Sequence, residues 1–73
     1  MVSKAVEQSL RTLWRKAGRT PFLVQYTKDR EVYQVLGAGP DGRFLMWRVG
    51  HGQVYWMAAD EKCWVWKGTV GNC

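Results

Sequence analysis

The sequence predicts an α+β domain, an N-terminal amphipathic helix packed on a small antiparallel β-meander of four to five strands. Three observations carry that expectation. Apolar residues recur at helical spacing up to Gly18, the period falls to two after Pro21, and turn residues then separate short aromatic segments about every ten positions. With 73 residues there is room for a single domain over 1–73, burying roughly 60% of its unfolded surface.

The helix is expected over 3–17. Ser3 is a candidate N-cap, and Gly18 can take the left-handed conformation that ends a helix. Pro21 blocks any continuation. At about 100° per residue, Val6, Leu10, Leu13, Trp14 and Ala17 share one face, while Lys4, Gln8, Arg11, Arg15 and Arg19 share the other. Strands are expected over 22–27, 31–36, 43–49, 53–58 and 63–67. Phe22, Val24 and Tyr26 alternate on one face of the first. The run 37–42 (Gly-Ala-Gly-Pro-Asp-Gly) is a turn, since it lacks the Lys-Ser/Thr ending and the helix that a phosphate loop requires. Such a meander could curl into a partly closed barrel.

Charge and composition narrow the function. Eleven Lys and Arg stand against six Asp and Glu, a formal +5. Residues 1–19 carry five basic groups against Glu7 alone, so the positive field is concentrated on the helix. Such a field suits nucleic acid, an acidic protein surface or an anionic membrane, and it also keeps a small domain soluble. Catalysis has little to build on. Asp29, Glu31, Asp41, Asp60 and Glu61 lie in or beside turns, and His51 sits between two glycines with no nucleophile placed beside it by any motif. Two cysteines, Cys63 and Cys73, are too few for a disulfide framework, and with a single histidine they make no zinc set; two reduced thiols are the simplest reading, a Cys63–Cys73 bridge the alternative. No metal or cofactor is expected. No apolar run reaches the 18 residues of a membrane span, and no signal peptide is recognisable, which points to a cytoplasmic protein without membrane attachment; a monomer is expected.

The ten aromatic residues, five of them Trp, are the informative part. Leu45, Trp47 and Val49 alternate with Phe44, Met46 and Arg48; Val54 and Trp56 alternate with Tyr55 and Met57; Trp64 and Trp66 alternate with Cys63, Val65 and Lys67. Both faces of these strands are therefore apolar, and the one not used by the core can show aromatics to a partner. The side chains expected to carry binding are Lys4, Arg11 and Arg15 on the helix, with Arg43, Trp47 and Arg48 on the sheet. Their partner would be a protein, or a single nucleic-acid strand whose bases stack on the rings. A free sheet edge could also accept a peptide strand.

The 73-residue length, the basic segment 2–19 and the aromatic strands at 44–47 and 64–66 resemble those of small phage-encoded regulators that bind the bacterial RNA polymerase of the host, antitermination factors among them. The resemblance implies a non-enzymatic protein in the host cytoplasm. It would contact the largest polymerase subunit near its N-terminus, inhibit initiation at host promoters and carry transcription past terminators. It assigns no contact residue.

Overall fold

A computed structural model describes residues 6–70 of the chain. One helix, α1 (Leu10–Lys16), precedes five strands: β1 (Phe22–Tyr26), β2 (Val32–Ala38), β3 (Arg43–Arg48), β4 (Val54–Ala58) and β5 (Trp64–Thr69). The strands form one antiparallel sheet in the order β4-β3-β2-β1-β5. The domain is α+β as expected, and the first four strands are a meander. The fifth departs from it, returning to pair with β1 rather than β4. The sheet is not closed into a barrel, because β4 and β5 remain its two edges.

The helix is shorter than its periodicity predicts. Its N-cap is Ser9, whose Oγ accepts from the Thr12 N–H at 3.2 Å, whereas Ser3 and Lys4 lie outside the described residues. Gln8 is not helical. It bridges β5, donating its N–H to Trp64 O at 2.8 Å and accepting from the Trp64 N–H at 3.1 Å. Val6, expected in the core stripe, is 68% exposed. A long-range backbone pair thus overrides a local helical pattern. The other end follows the sequence. Gly18 (φ +71°) donates to Arg15 O and Arg19 to Trp14 O, both at 3.0 Å, the paired bonds of a Schellman cap.

The core lies between α1 and one face of the sheet. Leu10 and Leu13 pack with Phe22, Val24, Tyr33, Val35, Phe44, Met46 and Trp64, and Trp14 spans from Phe22 to Phe44 with ring centroids 6.3 and 5.5 Å away. Ala59 and Cys63 in the β4–β5 connection close the core beside the helix N-terminus, where the Arg11 N–H donates to Ala59 O at 3.1 Å. Cys63 is buried, which pushes its thiol pKa up, and Cys73 lies outside the described residues. Bulges at Leu36 in β2 and at Lys67 in β5 each place one extra residue against the neighbouring strand, increasing local twist.

Trp64 is 1% exposed. Its ring stacks on Tyr26 at 4.4 Å and meets Tyr33 edge-on at 5.6 Å. Its Nε1 has no hydrogen-bond partner among the described residues. Trp64→Ala should therefore cost about 3–5 kcal/mol. Trp64→Phe should cost much less, because it keeps a ring and removes a buried donor that bonds nothing; denaturant melts of the two variants would show the difference. Tyr33 makes a second prediction. Burial, reinforced by a 2.8 Å hydrogen bond to Asp29, pushes its phenol up to about 12. The folded state holds that proton more tightly than the unfolded chain, whose tyrosines ionise near 10. Stability should be fully present below about pH 10 and fall as pH rises towards about 12. Tyr33→Phe should show a shallower fall over that window in denaturant titrations.

Candidate interaction surface

Arg11 and Arg15 are four positions apart and so share a helix face. The Schellman cap turns Arg19 back beside them, at φ +62°. Across from them stands Arg43, the first residue of β3. Together the four arginines line a groove of about 340 Å³, with Trp14, Phe44, Ala38, Gly39 and Gly42 completing its walls.

Arg11 Nε donates to Asp60 Oδ1 at 2.9 Å, which lowers the Asp60 pKa and raises that of Arg11. This exposed pair orients Arg11. Arg15, Arg19 and Arg43 form no ion pair among the described residues. Guanidinium groups present planar forks of donors, a chemistry that suits carboxylates and phosphates.

Beside the groove a second depression of about 290 Å³ is lined by Pro40, Asp41, Arg43 and Trp56. The turn Pro40–Gly42 forms it, with Asp41 (φ +62°) and Gly42 (φ +65°) both left-handed. Trp56 is 53% exposed, and its ring lies over Gly39 so closely that a Cβ there would overlap it. Glycine at 39 is required by that approach. Trp56 heads an apolar strip on the sheet face away from α1. Leu45 is directly opposite Trp56, and Trp47 opposite Val54. Val54 is exposed, and Leu45 and Trp47 are half-buried.

The six residues expected to bind are thus dispersed. Arg11, Arg15 and Arg43 come together. Trp47 lies on the outer sheet face, its indole N–H donating to His51 O in the β3–β4 turn. Arg48 alternates to the opposite face, sits 3.5 Å from Glu31 Oε1 and does not line the groove. Lys4 is outside the described residues. Sequence reasoning placed Arg19 on the basic face without assigning it to the surface, and it passed over Trp56. The spacing 11-15-19 was the available signal for the first; the Gly39–Trp56 contact has none in the sequence.

Among the described residues no group of three or more His, Cys, Asp or Glu could hold a metal ion, and no helix is long and apolar enough to cross a membrane. No protein-family model, curated protein or solved structure matches the chain.

Gly39→Ala should leave the fold intact, since the atoms it displaces are the far end of a side chain, and should change stability by about 1 kcal/mol or less. It should swing the Trp56 ring off the turn, seen as displaced indole resonances of Trp56 and amide shifts confined to residues 38–43 and 54–58.

Proposed function

We propose that this domain is a transcription regulator that acts by contact, binding bacterial RNA polymerase through the arginine groove and the aromatic strip beside it. Inhibition of host promoters and passage through terminators would follow from occupying that polymerase surface, with no chemical step by the domain. The observation that carries the reading is the convergence of Arg11, Arg15, Arg19 and Arg43 on one groove bordered by the exposed Trp56. Arg and Trp are the residue types that most often dominate protein interfaces. A concentrated positive field also speeds encounter with an acidic surface. The polymerase itself comes from the resemblance in length, basic segment and aromatic strands.

The same convergence favours a second reading, a single strand of DNA or RNA with phosphates on the guanidiniums and a base on Trp56. One experiment separates them. Immobilised domain should retain purified bacterial RNA polymerase after nuclease treatment, with the largest subunit cross-linking to it. Arg15→Glu combined with Arg43→Glu should weaken retention at least tenfold at low salt while the circular dichroism spectrum stays unchanged. Arg11 is left intact in that variant because it is held by Asp60. Unchanged affinity would remove the groove from the interface. Tight binding of a single-stranded oligonucleotide, with no polymerase retained, would favour the second reading.

A further inference from the structure

We infer that β4 is a docking edge, to which an extended acidic segment of a protein partner adds as a further antiparallel or parallel strand. The inference rests on the contact reading above and names the form of the partner at that surface.

The Ala59 N–H donates to Gly42 O at 2.9 Å, and Ala58 is opposite Arg43. In an antiparallel pair the bonded and non-bonded positions alternate. Tyr55 and Met57 therefore spend their N–H and C=O groups on β3, and Val54, Trp56 and Ala58 turn theirs away from the sheet. The Gly39 N–H donating to Arg43 O at 2.8 Å agrees, since it shows Arg43 bonding to the β2 side. No backbone bond to the outward groups of Val54, Trp56 or Ala58 occurs among the described residues. All three residues are exposed.

The two edges of the sheet are treated differently. On β5 the outward groups of Trp64 are taken by Gln8, and a bulge at Lys67 with Gly68 at φ +137° breaks the regular edge beyond. On β4 the sequence Val-Tyr-Trp-Met-Ala has no charge and no proline, and its pairing with β3 has no bulge. Soluble proteins normally protect an edge by one of those devices. An unprotected, regular edge of alternating donors and acceptors is the template used in strand addition.

The surroundings define the occupant. A strand laid against β4 would run past Val54 and Trp56 on the outer face, which suits an apolar side chain there. Two positions on, opposite Ala58, its next side chain on that face would lie about two strand spacings, roughly 10 Å, from the β3 backbone at Arg43. That gap is bridged by an arginine meeting a glutamate or aspartate. The groove holding Arg15 and Arg19 continues from the same end. A second copy of this chain would bring another +5 charge and a second arginine groove to the edge. A nucleic acid has no ladder of N–H and C=O groups to complete.

The test is amide hydrogen exchange on the labelled full chain, with a ten-residue peptide as probe whose outer-face positions (every second residue) read Val, Val, Glu, with Thr at the positions between. Exchange of the Val54, Trp56 and Ala58 amides should slow at least tenfold at saturating peptide, with Tyr55 and Met57 unchanged. A peptide with Lys in place of Glu should have no such effect. Ala58→Pro removes an outward donor without touching the β3 ladder and should abolish the protection. Arg43→Gln, which leaves the β4 backbone intact, should weaken it severalfold. Unslowed exchange at the three amides, equal protection by the Lys peptide, or protection that appears on concentrating the protein alone would each overturn the inference. Failure of the wild-type domain to retain polymerase would instead overturn the contact reading. Equal retention by wild type and Ala58→Pro would overturn the docking edge alone.

Discussion

The clamp around Trp64 is the constraint on which the rest of the structure depends. Its ring is enclosed by Tyr26 and Tyr33, while its backbone is paired to β1 on one side and to Gln8 on the other. One residue therefore joins the last strand, the first strand and the segment before the helix. A domain this small buries a modest fraction of its surface, so a ring of this size makes up much of its core. Because Gln8 is held as a strand, the helix cannot start before Ser9. That fixes where Leu10 and Leu13 enter the core, and with them the outward direction of Arg11 and Arg15.

The basic surface is a consequence of that geometry. A helix of seven residues presents two arginines on its outer side, and the left-handed cap at its end adds a third by reversing the chain. The fourth, Arg43, arrives from a strand twenty-four positions beyond Arg19 because the turn Pro40–Gly42 delivers β3 beside α1. Like charges gathered this way repel one another, and among the described residues an acidic group pairs, of these four, with Arg11 alone, through Asp60. An anionic partner would relieve the others, which makes the repulsion itself a source of binding free energy.

The sheet is asymmetric in a way that matters for contact. One short helix covers one face, leaving Leu45, Trp47, Val54 and Trp56 on the other. One edge is occupied by the N-terminal segment and broken by a bulge; the other is regular and uncharged. The open face, the open edge and the arginine groove meet around Trp56 and Arg43. Three different kinds of interaction, apolar, backbone hydrogen bonding and electrostatic, are thereby available within one small area.

Local physics was readable from the sequence alone: the change of period from 3.6 to two, the five strands to within two residues at either end, the left-handed Gly18, the turn around Pro40, and the buried alternation of Phe22 and Val24. Each depends on neighbouring residues only. The i, i+4 pair Arg11 and Arg15 was legible for the same reason. Tertiary structure decided what depends on distant partners. Val6 fits the helical stripe, yet Gln8 finds more by pairing with Trp64, 56 positions away. The return of β5 to β1, the union of Arg43 with the helix arginines, and the seat of Trp56 on Gly39 also join residues that no local pattern relates. Periodicity tells a strand which of its residues share a face; only the assembled sheet determines which face the helix covers and which edge is left open.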